Sequence, residues 1–514
     1  MKKRFPWISM RKKTDPELPL EPPIFLGNKS NGEFFVDATP RDRRIREQSL
    51  RIASEQAPRH GMERREFQAS TMGMAASLYV INLASGCGDG PTAADGGFEV
   101  PEPPQMDCDE ATEILSGDEF ILDLQTHHIE DEETWRERHP GENYTGEGFA
   151  SFITFWNCDF AKRSECIGPD IYMEKIFLDS DTTVAVLSGF PSPMCDDGTM
   201  CTNLNSNDAM AYWRDLINGL AGSQRMVQHC QVSPNDRWEL QSAMMERIRA
   251  EHGNHGWKVY PPWGPDGVGW WLDDPAVGDP FIEKCKELGE PLICAHKGFP
   301  LPGFDRVHTD PKDVGPAAVK HPDVSFVVYH SAYESSNVEG PYDPNGPGVD
   351  RLVKTVLEND LEGKNVYAEM GSAWFLASLN AVGAQHYVGK LLKYLGEDNL
   401  LWGSECVWFG SPQRQIEAFR ALQISEEFQE QYGYPALTPA IKEKVLGLNA
   451  ARIYRIDPDE VRCTLDTNQL QLAKNELDGT FGSRRWAFEQ PGGPRSRREF
   501  LALQRWRDFL GVPA

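Results

Sequence analysis

The sequence predicts an α/β protein: a (β/α)8 TIM barrel with an N-terminal disordered and signal-like region and a C-terminal helical extension. Three features predict it. Eight short apolar runs recur between Phe120 and Trp402. The stretches between many of them carry apolar residues at helical spacing. Polar side chains collect where the runs end, and the C-terminal ends of its strands are where a parallel barrel keeps its chemistry.

Taken in order, residues 1–61 are basic, Arg-rich and short of apolar periodicity, which predicts disorder, with Arg41 to Ala57 as an isolated helix. Residues 62–87 begin Met62-Glu63-Arg64-Arg65-Glu66-Phe67 and then carry no charge from Gln68 to Gly88. A charged start before a mildly apolar run is the layout of an export signal, and the paired arginines give it a twin-arginine-like form. The alternative is a buried helix of the folded domain. Leu83-Ala84-Ser85-Gly86-Cys87 loosely resembles a lipoprotein cleavage site, with Cys87 as the lipidated residue. The expected location is periplasmic if the signal works and cytoplasmic if it does not. Residues 88–117 read as a Gly/Pro/acidic linker, and residues 118–456 as the barrel.

The strand candidates are Phe120 to Gln125, Thr183 to Gly189, Met226 to Val232, Trp257 to Tyr260, Pro291 to Ala295, Val324 to Tyr329, Asn365 to Glu369 and Asn399 to Trp402. Asp208 to Ala221, Arg237 to Glu251, Pro280 to Leu288, Asp350 to Glu358 and His386 to Leu395 read as helices. Pro261 to Asp274, rich in Trp, and Glu339 to Gly348, rich in Gly and Pro, read as insertions. Residues 457–514 are charged and Trp/Arg-rich, a helical extension expected to pack on the barrel or against a second subunit.

The totals narrow the function. A formal net charge of −26 over 514 residues repels phosphate backbones and anionic membranes, which argues against nucleic-acid binding and leaves the signal or a lipid anchor as the only membrane contact. The 11 cysteines contain no CxxC pair, so a zinc ribbon is not indicated. Cys195 and Cys201 are placed to bridge in an oxidising compartment.

The chemistry gathers at strand ends. Asp123-Leu124-Gln125-Thr126-His127-His128 closes the first run, and alternation along a strand points Gln125 and His127 the same way. The fifth run ends in His296, the sixth in His330, the seventh in Glu369 and the eighth in Glu405. Imidazole and carboxylate ligands suit zinc or manganese ahead of iron, and a nearby carboxylate can take a proton from water. Lys297 reads either as a contact to an anionic substrate or as a structural ion pair. His308 is a candidate pocket residue, and Trp271 and Trp408 are candidates among the tryptophans for an aromatic wall.

Together with Ala295-His296-Lys297-Gly298, Tyr329-His330-Ser331 and the long run Trp402-Gly403-Ser404-Glu405-Cys406-Val407-Trp408-Phe409-Gly410-Ser411-Pro412-Gln413, these pieces resemble the amidohydrolase superfamily, in its amidohydrolase-2 branch, which also holds metal-dependent decarboxylases. The resemblance spans roughly residues 118 to 456. It implies that Gln125, His127, His296 and Glu405 hold one divalent metal, that Glu405 also moves protons, and that His330 orients substrate or takes a second metal. Two residues depart from the family pattern: Gln125 stands where the family has His or Glu, and Glu405 where it has Asp. Three functions follow. The first is a metal-dependent hydrolase in which a metal-activated water attacks an ester, lactone or amide carbonyl. The second is a non-oxidative decarboxylase of an aromatic or unsaturated acid. The third is an inactive barrel kept as a binding protein. The partner expected is a small-molecule substrate, and the long C-terminal extension suggests a homo-oligomer.

Overall fold

A computed structural model of the chain describes residues 20–24, 26, 38–85, 97–154, 156–157, 162–201, 204–301, 303–334, 338–488, 490–491, 498 and 501. Cys87, the candidate lipidation site, lies outside the described residues.

All eight predicted runs form strands: β1 Leu122–Thr126, β2 Val184–Leu187, β3 in two pieces (Met226–Gln228 and Cys230–Val232), β4 Trp257–Val259, β5 Leu292–His296, β6 Ser325–Tyr329, β7 Val366–Glu369 and β8 Leu400–Leu401. Each pairs in parallel with the next, from β1 with β2 through β7 with β8. The ring closes because residues just past β8 return to β1. The Leu124 amide donates to the Trp402 carbonyl (3.2 Å), the Glu405 amide to Gln125 (2.8 Å) and the His127 amide to Cys406 (2.7 Å). Closure leaves no sheet edge.

Alternation within the strands separates two cores. Leu122, Leu124, Val184, Val186, Val227, Leu292, Cys294, Val327, Tyr329 and Leu401 fill the barrel, and Tyr454 and Ile456 close its floor. Residues of opposite parity, such as Ile293, Ala295, Phe326 and Val328, face the surrounding helices. The predicted helices are present as Asn207–Ala221, Trp238–Glu251, Gly278–Glu287, Val349–Glu358 and Ala381–Tyr394. Ser206 caps the first of these by accepting from the Ala209 amide, and Gly222 ends it at φ 73°. The largest insertion was not expected: the segment between β1 and β2 carries helices Glu132–Arg138, Gly146–Ile153 and Pro169–Met173.

The N-terminal region differs from expectation. Helix Pro40–Gln56 forms where an isolated helix was predicted, with Thr39 and Asp42 completing a capping box, but it is packed rather than isolated. The signal-like stretch is helix Thr71–Ser85, and Met72, Met74, Leu78, Val80 and Ile81 are at most 1% exposed. Polar clamps tie it down. The Asn82 amide brackets the Phe98 backbone (2.7 and 2.9 Å), the Ala381 amide donates to Ser85 Oγ (3.0 Å), and Arg41 Nε donates to the Ala84 carbonyl (3.0 Å). The described part of the linker, from residue 97 on, is pinned as well: Gly97–Phe98 pairs with Leu422–Gln423, and Cys108–Leu115 is a helix. Among the described residues no helix is long and apolar enough to cross a membrane.

Five buried aliphatic or thioether side chains at about 2 kcal/mol each represent roughly 10 kcal/mol, as much as a typical domain's net stability. A chain lacking residues 1–87 is therefore expected to be insoluble or to melt many degrees below the full chain. Circular dichroism of the two proteins checks this, and equal melting temperatures would refute it.

The C-terminal extension packs on the barrel as expected, through helices Pro458–Leu465 and Gln469–Phe481. Arg225 Nη1 donates to Asn468 Oδ1 (3.1 Å) and Arg485 Nε to Asp179 Oδ1 (3.0 Å).

Candidate active site

β1 carries one residue more than β2 between Asp123 and Thr126, a bulge at the barrel's C-terminal mouth. Below the bulge, Leu122 and Leu124 point inward. Above it, the Thr126 hydroxyl turns outward to Tyr172 and the Val186 carbonyl, while Gln125 and His127 turn into the mouth. Asp123 holds the bend by accepting from the Gln125 amide (3.2 Å) and the Ser404 amide (3.0 Å).

His127 donates Nδ1–H to the Ser188 carbonyl (2.7 Å), which fixes the tautomer and leaves the Nε2 lone pair facing the site. Its ring stacks on Trp408 at 5.3 Å, and Phe190 lies at 5.6 Å. His296, at the end of β5, donates Nε2–H to the Phe299 carbonyl (3.3 Å), so its free lone pair is on Nδ1. Tyr260 stacks on it and Phe304 meets it edge-on, both at 5.2 Å. His330, after β6, stands 4.9 Å from the His296 ring. The Gln125 amide lies between imidazoles, with Nε2 3.4 Å from Nε2 of both His127 and His330.

Glu405 Oε1 reaches to 3.8 Å from His330 Nε2, while its other oxygen accepts from the Ser372 hydroxyl. Glu369, at the end of β7, anchors the neighbouring backbone: Oε2 accepts from the His330 amide (2.9 Å). Gly371 (φ 43°) makes the close packing feasible. A Cβ there would lie 2.7 Å from Gln125 Oε1, 2.7 Å from His330 Nδ1 and 2.9 Å from Glu369 Oε2.

Backbone strain concentrates in the same place. Among the described residues, five of the eight non-glycine residues with positive φ are Phe299, His330, Ser331, Ala332 and Glu405. Each costs of order 1–2 kcal/mol and persists because its surroundings over-determine it. Ser331, for example, is pinned by its hydroxyl donating to the Glu369 carbonyl (2.8 Å).

The electrostatics favour ligation. Burial, and then the Lys258 ammonium, depress His127 and His296 to about 3; burial, then His296 and Lys258, hold His330 well below its ordinary value, so all three imidazoles are neutral at physiological pH. Burial raises Glu369 to about 8. Gln125 Oε1, His330 Nδ1 and Glu369 Oε1 are buried with no hydrogen-bond partner. Neutral imidazoles, a carboxylate and orphaned polar atoms converging at a strand-end mouth fit a divalent cation. His127 Nε2, His296 Nδ1, Glu405 Oε1 and the Gln125 amide oxygen, once that amide is turned over, are the groups that would hold it. Among the described residues the group of three ligands with all its atoms within 4.8 Å is a different one, Asp208, Glu251 and His252. It lies on the outer helices, and Arg247 already pairs there with Asp208 (2.6 Å) and Glu251 (3.2 Å). The mouth groups are spaced more widely.

The placements of Trp271 and His308 are corrected, and of the readings of Lys297 the structural ion pair stands while the substrate contact falls. Lys297 is fully buried, and its ammonium donates to Asp313 (2.8 Å) and to the carbonyls of His308 and Asp310 (3.1 Å each). Its three protons are taken, so it holds the loop after β5 and has no donor for a substrate. Trp271 and His308 lie against each other at 4.3 Å, and the cations over the Trp271 ring are Lys297 and Lys312. They build the outside of that loop, not the mouth. Trp408 does wall the mouth, against His127. His128 packs edge-on to Tyr172 and Trp213, away from the site.

Sequence reading missed Lys258. A lysine inside the short apolar strand Trp257-Lys258-Val259 was the available signal. It also missed Phe190, Tyr260 and Phe304, which no motif marks.

A family model described as amidohydrolase matches residues 211–456. That span holds β3 through β8, with His296, His330 and Glu405, and begins after Gln125 and His127. No curated protein matches the chain by sequence. Among solved structures, the chain is similar to 5-carboxyvanillate decarboxylase from Sphingomonas paucimobilis (12% identity, TM-score 0.40, covering 66% of this chain and 99% of that one). It is also similar to 2,6-dihydroxybenzoate decarboxylase from Rhizobium (13%, 0.37, 66% and 99%) and to a putative 2-pyrone-4,6-dicarboxylic acid hydrolase from Pseudomonas putida (14%, 0.38, 65% and 97%).

Proposed function

We propose that the chain is a metal-dependent hydrolase acting on an ester, lactone or amide carbonyl. The observation that carries this reading is the meeting, at one barrel mouth, of Gln125 and His127 from β1, His296 from β5, His330 from β6 and Glu405 from the residues after β8. A bound divalent cation supplies Lewis acidity toward a carbonyl oxygen and acidifies water. The remaining work falls to side chains. His127 and His296 are held in single tautomers by the Ser188 and Phe299 carbonyls. The Glu405 carboxylate, steadied at Oε2 by the Ser372 hydroxyl, takes a proton, and His330 beside it orients the substrate oxygen. Trp408 and Phe190 on one side, and Tyr260 and Phe304 on the other, exclude water.

These aromatic walls also suit a planar ring, which favours the decarboxylase as the second reading. Turnover in water enriched in oxygen-18 separates the two. Hydrolysis of a panel of aryl esters and lactones is expected to place one labelled oxygen in the product acid without gas release. Carbon dioxide release from aromatic acids, with no labelled acid formed, would replace the hydrolase by the decarboxylase.

Export is part of the proposal. The Cys195–Cys201 disulfide and the disulfide-bonded Cys166 suit an oxidising compartment. Because helix Thr71–Ser85 is built into the core, we place the exported chain in that compartment with the helix still attached.

A further inference from the structure

One charged group at the site has no role in the reading above. Lys258 projects from β4 into the barrel and is fully buried, and its ammonium has no hydrogen-bond partner. It lies 3.2 Å from the centroid of the Tyr329 ring and 4.9 Å from that of Tyr260, the ring stacked on His296. Burial lowers it to about 7, against the pull of the Cys294 thiol and of Glu369 and Glu405. The effect is mutual. The Lys258 charge is felt by His127, His296 and His330, while His229, on the floor side, feels it too. A buried ammonium facing the Glu405 carboxylate, the Glu369 carboxyl group and three imidazoles, and bonded to none of them, is costly to keep as a structural element. A cation–π contact offsets only part of that cost.

We propose that Lys258 is a positioning residue: an internal cation that balances the Glu405 carboxylate while the site is metal-free and opposes a divalent ion entering the mouth, thereby weakening and setting the metal affinity. The inference rests on the metal reading. Its physical content is a like-charge repulsion that acts through the protein interior and leaves the ligands themselves intact. Within about 10 Å, in an interior screened as proteins are, one unit charge changes the affinity for a divalent ion by roughly tenfold or more.

The sign of this effect separates it from a packing role. Loss of packing under the ligands would loosen them and weaken metal binding. Loss of an opposing charge tightens it. The experiment titrates Mn2+ into the full chain at pH 6.5 against a chelating indicator, comparing the parent with Lys258→Met, which keeps the volume, and Lys258→Arg, which keeps the charge. Lys258→Met is expected to bind Mn2+ about tenfold or more tightly, and Lys258→Arg within about threefold of the parent. If Lys258→Met fails to fold by circular dichroism, Lys258→Gln serves as the uncharged arm. Affinity unchanged or weaker in the folded uncharged variant overturns the inference while leaving the metal reading in place. A parent chain that takes up no Mn2+ overturns both.

Discussion

Replacing His127 and His296 together by alanine is expected to abolish metal retention and lower kcat/KM by at least about 10³-fold, roughly 4 kcal/mol of transition-state stabilisation. The two histidines come from strands on different sides of the barrel, and each is held by its own backbone carbonyl, Ser188 for one and Phe299 for the other. Neither ring is needed to hold the other. Removing them leaves cavities beside Trp408 and Tyr260 but breaks no barrel hydrogen bond, so the double variant is expected to fold. Elemental analysis of the purified variant, with circular dichroism as a control, checks this. Turnover equal to that of the parent would show that the chemistry lies elsewhere.

Gly371→Ala is expected to produce the second-largest effect through a single methyl group. The position has φ 43°, and a Cβ there meets Gln125 Oε1, His330 Nδ1 and Glu369 Oε2 at 2.7–2.9 Å. Of the three, Glu369 and His330 are held in place, so the Gln125 amide must give way. Glu369 is bonded to the His330 amide, its other oxygen lies against Gly403, and His330 is hemmed in by Phe299. The substitution should cost about 2–4 kcal/mol of stability from strain and overlap and displace the amide of Gln125 from between the imidazoles. The expected readout is a lowered melting temperature together with activity reduced at least about a hundredfold. A variant that melts and turns over like the parent would contradict the packing described around Gly371.

The barrel was legible because its signal is one-dimensional. Short apolar runs at β1 to β8, separated by helical spacing, follow from burial alone, and the strand ends followed from where the runs stop. The ring of polar residues was legible for the same reason. What a single strand does in three dimensions was not. The bulge in β1 re-aims Gln125 and His127 relative to Leu122 and Leu124, and it depends on Asp123 reaching Ser404, 281 positions away. Lys297 follows His296 directly in sequence, yet its partner Asp313 comes from the far end of the next loop, so a motif-based reading could not see that its charge was spent. The uncharged run that starts at Gln68 carries the same apolar content whether it crosses into a translocation channel or packs against Ala381–Tyr394. Only the contacts of Asn82 and Ser85 show the packed state. Lys258 stood out as a charge inside an apolar run, but which groups it faces followed only from the barrel closing around it.

The central claim is that the mouth of this barrel holds one divalent cation between His127, His296 and Glu405. The direct test is elemental analysis of the full chain after purification in trace manganese and zinc, repeated after chelation and reconstitution. The account predicts about one equivalent of metal per chain, lost on chelation together with activity and restored by either ion. A chain that holds no metal, takes none up on reconstitution and turns over regardless would contradict it.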